Sequence, residues 1–294
     1  MPSPLSPPSS PSGHPASVSS SASASSSSRD ALAAVLRAAG CVFAEDEAEL
    51  ILTAARTPDE AAAMAERRAA GLPLEHVVGW AEFHGLRITV EPGVFVPRRR
   101  TEFLVDQALA AAPHASVVVD LCCGSGAVGA ALAASLGQVE LHAADIDPAA
   151  VRCARRNIAG YGGLACTGDL FAALPAQLRG RIGILAANVP YVPTDEVPLL
   201  PAEAREHEPL TALDGGGDGL DVLRRVAAEA PRWLAPDGCL LVETSERQAP
   251  AAVEAFTRSG LAVRLAQDDE LHAHVVVGTR VTGATGVTTA TGVR

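Results

Sequence analysis

The chain has 294 residues, 48% of them apolar but only 3% aromatic, enough for one large and one small domain around a core of Ala, Val and Leu. Lys and Arg total 23 against 34 Asp and Glu, a formal net charge of −11, which speaks against a protein that grips nucleic acid by phosphate neutralisation. Six cysteines without a C-x-x-C pair argue against a metal site or a disulfide framework, and with no basic-then-apolar leader and no apolar run of ~18 residues the expected setting is the reduced cytoplasm, away from membranes.

Residues 1–28 are almost all Ser, Pro and Ala, with no Asp, Glu, Lys or Arg, and are expected to be disordered. From Arg29 the apolar residues recur at helical spacing, and Thr57-Pro58-Asp59-Glu60 has the form of a capped helix start. Two or three short helices in a small domain over residues 29–78 are expected. A β-hairpin linker over residues 79–100 follows, read as strands at 83–90 and 94–96 around Pro92-Gly93. Arg98, Arg99 and Arg100 form a small basic cluster, expected to be solvated, and Thr101-Glu102 opens a helix to residue 112.

Strands and helices then alternate over residues 101–280: strands at 116–121, 139–145, 164–167, 182–187, 239–243, 261–265 and 274–277, with helices at 127–136, 148–159, 218–233 and 250–259. Repeated βα units predict an α/β fold with a parallel, doubly wound sheet. The Thr- and Gly-rich tail over residues 281–294 is expected to be flexible.

Residues 117–129, Val-Val-Val-Asp-Leu-Cys-Cys-Gly-Ser-Gly-Ala-Val-Gly, run from a strand through a glycine turn into a helix. Gly124 to Gly129 also fits G-x-G-x-x-G, with Asp145 about 20 residues on, as a dinucleotide site requires. However, Asp120 ends the strand just before the turn. A carboxylate there repels a pyrophosphate and suits a ligand carrying an ammonium and a sulfonium. Asp145 and Asp169 stand at the ends of successive strands, where helix N-capping is the plainer alternative.

After the apolar run at 182–187 comes Asn188-Val189-Pro190-Tyr191. In open α/β sheets ligands bind beyond the carboxyl ends of strands, and Pro190 and Pro193 stiffen the backbone there.

On these residues the chain resembles the class I S-adenosylmethionine methyltransferases, with their Rossmann-like sheet. The resemblance implies a cofactor site made by Asp120, Cys122, Cys123, Gly124, Ser125, Gly126, Asp145, Asp169, Leu170 and Asn188, with Asp145 on the ribose hydroxyls and Asp169-Leu170 near adenine. Asn188 to Tyr191 resembles the [N/D]-P-P-[Y/F/W] signature of enzymes that methylate amino or amide nitrogens. It implies Asn188 and the Val189 carbonyl as acceptors for an NH₂ group, with Pro190 stiffening the loop and Tyr191 offering its ring to the planar amide.

Two further stretches are similar to the HemK/PrmC branch, the protein-(glutamine-N5) methyltransferases. Pro97-Arg98-Arg99-Arg100-Thr101-Glu102 resembles its P-R-P-D-T-E segment, and Glu208-Pro209-Leu210-Thr211-Ala212-Leu213 its E-P-x-x-A-L segment. The resemblance implies a protein partner, a class I peptide release factor methylated on the glutamine of its Gly-Gly-Gln loop. Val189 stands at the first proline, Cys122-Cys123 at a Gly-Thr pair, and Arg99-Arg100 at Pro-Asp. The alternatives weighed against it are an adenine-N6 nucleic-acid methyltransferase, a nicotinamide dehydrogenase and a non-catalytic cofactor-binding module.

Overall fold

The computed structural model describes residues 19–281, and the expectations for residues 1–18 and 282–294 lie outside that range. The chain divides into two compact units between Ala70 and Gly71. The first contains α1 (Ser19–Ala38), α2 (Ala44–Ala54) and α3 (Pro58–Ala69). Helix α1 begins at Ser19, inside the stretch expected to be disordered. The nearest upstream helix breaker is Pro15, so nothing in residues 19–28 stops the turn-by-turn extension of a helix seeded by the apolar residues after Arg29. Leu36, Ala48 and Ile51 are fully buried, Glu47 meets Arg68 at 2.7 Å, and Thr57 caps α3 by accepting from the Glu60 amide at 3.1 Å.

The second unit opens with α4 (Leu74–Val78) and the antiparallel pair β1 (Trp80–Phe83) and β2 (Leu86–Thr89). The hairpin therefore turns at His84-Gly85, with φ of 50° and 72°, and not at Pro92-Gly93. Two consecutive positive φ values give the tight turn whose twist matches the strands. Residues 94–96 form no strand; the Val96 amide donates instead to the Glu208 carboxylate at 3.2 Å.

Next come α5 (Glu102–Ala111), β3 (Val117–Leu121), α6 (Ala127–Leu136), β4 (Glu140–Asp145), α7 (Pro148–Ile158), β5 (Leu164–Thr167) and β6 (Ile182–Ala187). They are followed by α8 (Ala202–His207), α9 (Leu210–Leu213), α10 (Asp221–Glu229), β7 (Leu234–Thr244), α11 (Ala249–Arg258), β8 (Ala262–Asp268) and β9 (Ala273–Thr279). The seven-stranded sheet has the order β5-β4-β3-β6-β7-β9-β8. It is parallel from β5 to β7, but β9 runs antiparallel to both neighbours. The short β8–β9 connection cannot carry a crossover, so the parallel arrangement expected from the βα units ends at β7.

The two sheet faces are covered separately. Val118, Leu132, Ala143 and Ile184 lie in one core, and Val119, Leu185, Trp233 and Leu240 in the other. Strand order reverses at β3, whose Leu121 pairs with Ala144 of β4 on one side and Ala187 of β6 on the other. That register sets the turn after β3 beside Asp145 and Asn188, at the switch point where α/β sheets bind ligands. No helix among the described residues is long and apolar enough to cross a membrane.

Candidate active site

A cavity of about 270 Å³ opens over the carboxyl ends of β3, β4 and β6. Its floor is the glycine turn. Cys122, Gly124 and Gly126 have φ of 55°, 53° and 77°, a run of left-handed residues that turns the backbone sharply into α6. Cys122, Cys123, Gly124 and Ser125 line the cavity, whereas Gly126 does not. A Cβ on Gly126 would lie 3.0 Å from the Ala154 Cβ, so its lack of a side chain serves the packing of α7 against the turn.

The three acids of this side differ in what they hold. Asp120 is 1% exposed and accepts from the Gly129 amide at 2.8 Å, tying the end of β3 to the first turn of α6. Burial pushes its carboxyl up to about 8, against the pull of that amide. It reaches the cavity as part of the wall rather than as a free charge. Asp145 accepts from the Gly124 amide through Oδ2 and from the Asp147 amide through Oδ1, both at 2.9 Å, and burial raises its carboxyl as well. It does not cap α7; Asp147 does, accepting from Ala149 at 2.7 Å. Asp169 lines the rim and pairs with Arg225 at 2.6 Å. Ile146, Leu170 and Val222 add apolar wall.

On the other side of the switch point Asn188, Val189 and Pro190 line the cavity. Val189 is buried in the core beneath the loop, so valine in place of proline fills space and leaves the carbonyl open. Among the described residues the Asn188 side chain and the Val189 carbonyl oxygen take part in no hydrogen bond. Tyr191 does not line this cavity. Its hydroxyl accepts from Arg100 and donates to Glu243 at 3.2 Å, and it borders a second, shallower hollow with Val192, Leu199 and Gln248. The Gln248 amide donates to the Tyr191 carbonyl at 2.8 Å. The glycine-rich loop at residues 214–221 presses on the same backbone: a Cβ on Gly219 would stand 2.2 Å from the Tyr191 carbonyl oxygen, so no other residue fits.

A family model described as "Methyltransferase small domain" matches residues 85–177. The chain is 38% identical over 229 residues to the release factor glutamine methyltransferase of Geobacter sulfurreducens, covering 76% of this chain and 80% of that protein. It is 39% identical over 249 residues to the same-named protein of Mycolicibacterium smegmatis, covering 79% and 88%. The chain belongs to the release factor glutamine methyltransferase family. A methyltransferase structure from Pyrococcus furiosus, 16% identical, superposes with a TM-score of 0.51 over 67% of this chain and 90% of that one, in agreement with the Rossmann-like class I fold.

In this family member Arg99 and Arg100 are exposed and Arg98 is half-buried, yet two of the three reach buried carboxylates. Arg98 pairs at 2.6 Å with Glu208, whose side chain is 1% exposed, and Arg100 pairs at 2.9 Å with Glu243, 3% exposed. Thr101 donates to the other Glu243 oxygen at 2.6 Å. These bonds pin the segment that brings Phe95, Pro97 and Thr101 to the cavity wall. Sequence reasoning missed those three, together with Ile146, Thr211 and Arg225. The available signal was the Glu208-Pro209 motif, whose acid had no stated partner.

Proposed function

We propose that this chain transfers a methyl group from S-adenosylmethionine to the side-chain amide nitrogen of a glutamine in a class I release factor, the glutamine of its Gly-Gly-Gln loop. The observation that carries the reading is the pair of hydrogen-bond acceptors without partners, the Asn188 side chain and the Val189 carbonyl, side by side at the end of β6. A primary amide has two N–H bonds, and two fixed acceptors hold both. The amide nitrogen is a poor nucleophile, so orientation is the main thing the protein can supply. Acceptors already in place also favour the positive charge that develops on nitrogen. Of the carboxylates on this side, Glu208 and Glu243 are both paired, and Asp214 accepts from Thr194 and Gly216 through one oxygen, Oδ1, at 2.8 and 2.9 Å. The departing proton goes to water after transfer.

The residues present fit the cofactor. Acids at 145, 147, 169 and 214, beside the mostly protonated Asp120, meet one guanidinium, Arg225, in the cavity wall, and that one is already paired with Asp169. This balance suits a cationic ligand and repels a pyrophosphate, which disfavours a nicotinamide dinucleotide. Asp145 keeps lone pairs beyond its two backbone bonds for a ribose diol, and the walls at Ile146, Leu170 and Val222 are apolar enough for a purine. When bound, S-adenosylmethionine supplies a methyl group activated by its sulfonium. The test uses the purified protein, methyl-labelled cofactor and a release factor, with peptide mass spectrometry. Label on the glutamine, and a loss of about 10²–10³-fold in Asn188→Ala, are expected. Label in RNA or DNA, no turnover on any acceptor, or equal labelling by both proteins would overturn the reading.

A further inference from the structure

We propose that Arg100 is a positioning residue for methyl transfer: it holds the Tyr191 ring outside the cavity and so fixes the loop that presents Asn188 and the Val189 carbonyl. The inference rests on the acceptor role proposed for that loop. Arg100 sits at a junction of three chain segments. Its Nε donates to Glu243 Oε1 at 2.9 Å, and its terminal nitrogen donates to the Tyr191 hydroxyl. That hydroxyl in turn donates to the same Glu243 oxygen at 3.2 Å. The guanidinium carbon lies 6.0 Å from the Tyr191 ring centroid.

Glu243 ends a central strand and is almost fully buried, so it is a fixed post with little freedom to follow a moving partner. A buried carboxylate needs its cation, and Arg100 is the cation that touches both the carboxylate and the phenol. The planar guanidinium, with donors in a rigid fork, can hold two acceptors at set angles, which a lysine cannot. At the other end of the same residue, Gln248 holds the Tyr191 carbonyl at 2.8 Å while also donating to the Asp218 carbonyl at 2.9 Å. Ring and backbone of Tyr191 are thus held from different sides. Pro190 and Pro193 limit rotation on either flank of it. What remains free in the loop is the side chain of Asn188, and its direction follows from the backbone that Arg100 and Gln248 hold.

The alternative is that Arg100 only stabilises the fold by pairing Glu243. A double-mutant cycle separates the two. If Arg100 acts through the Tyr191 hydroxyl, Arg100→Ala and Tyr191→Phe each lower kcat about tenfold to 10²-fold, and the double variant loses little more than either alone. Arg100→Lys recovers part of the loss, and the Kd for S-adenosylmethionine stays at the wild-type value throughout. A second readout does not depend on turnover. The chain has two tyrosines, so ring-carbon NMR of labelled tyrosine, assigned with Tyr191→Phe, must show the Tyr191 signal shifting in Arg100→Ala and Arg100→Lys. Unchanged kcat in Arg100→Ala, fully additive losses, or an unmoved Tyr191 signal would overturn the proposal. A wild-type protein that methylates no release factor overturns the acceptor reading instead, and the Tyr191 signal then still decides whether Arg100 holds the ring.

Discussion

The turn after β3 and the loop after β6 lie side by side at the switch point, yet they are held by different means. The turn is held by short-range bonds between acids and backbone amides: Asp145 to Gly124 and Asp147, Asp120 to Gly129. None of these spans more than 21 residues. The neighbourhood of the loop is held by side-chain pairs between distant segments: Arg98 to Glu208, Arg100 to Glu243 and Arg100 to Tyr191, spanning 110, 143 and 91 residues. The cofactor side is therefore a local construction that forms with its own βα unit. The acceptor side exists only when the whole second unit is assembled, which makes it the more sensitive to single charge deletions.

The largest expected effect at a fixed pH follows from that contrast. Arg98 is about one-third exposed while Glu208 is 1% exposed, so the two halves of the pair are not equivalent. Removing the arginine strands a buried carboxylate that burial already pushes above its usual range; removing the acid leaves a guanidinium that can turn to water. Arg98→Met should cost about 3 kcal/mol, and Glu208→Gln distinctly less, because the amide oxygen still accepts from Val96. Denaturant unfolding of the two variants measures this. Equal losses would mean that the segment is held by packing and not by the charge pair.

On the cofactor side the expected effect depends on pH. The Asp120 carboxyl is held at about 8 by burial, against an ordinary carboxylate value near 4. Between those two values the folded protein keeps a proton that the unfolded chain has released. Stability is thus greatest at the acid end and falls as pH rises from about 4 to about 8, levelling off above, by at most about 1.4 kcal/mol per pH unit from this group. In Asp120→Asn the amide oxygen still accepts from Gly129 and this decline disappears. Tm measured from pH 5 to 9 in both proteins checks it, and parallel curves would sink the assignment. The same linkage makes a cationic ligand bind with release of a proton near neutral pH, visible in calorimetry as a dependence of the binding heat on the buffer.

How much of this was legible in the sequence follows the same division. The βα alternation, the glycine turn with its acids, and the Asn188 position are all written in contiguous stretches, because periodicity and turn chemistry act over a few residues. The expected strand at 182–187 is the observed β6. The Pro92-Gly93 pair drew the hairpin turn to the wrong place, with His84-Gly85 read inside a strand, and only the pairing of β1 with β2 puts the turn there. The reversal of β9 and the extension of α1 to Ser19 were likewise unsignalled. Arg98 and Arg100 look like unpaired charge when their carboxylate partners lie more than 100 residues away. Tyr191, expected to face the amide, bonds Arg100 and Glu243 through its hydroxyl, contacts that no local pattern signals.

The smallest expected effect concerns Cys122, where the local construction carries a visible strain. Its φ of 55° places an L side chain in the left-handed region, which costs roughly 1–2 kcal/mol. Cys122→Gly removes that cost but adds backbone freedom to the unfolded chain, worth about 0.5–1 kcal/mol. The thiol offers little to set against this. Burial and the nearby Asp145 hold it in the neutral form, so no ion pair is lost, and the side chain is only partly buried beside the second core. The net expectation is a gain of about 0.5 kcal/mol, read as a higher denaturant midpoint at unchanged m-value. A fall would show that the Cys122 side chain packs well enough to outweigh its backbone strain. A gain has no counterpart in the loop after β6, where no residue with a side chain has positive φ: that side is constrained by its partners, and the turn by its own backbone.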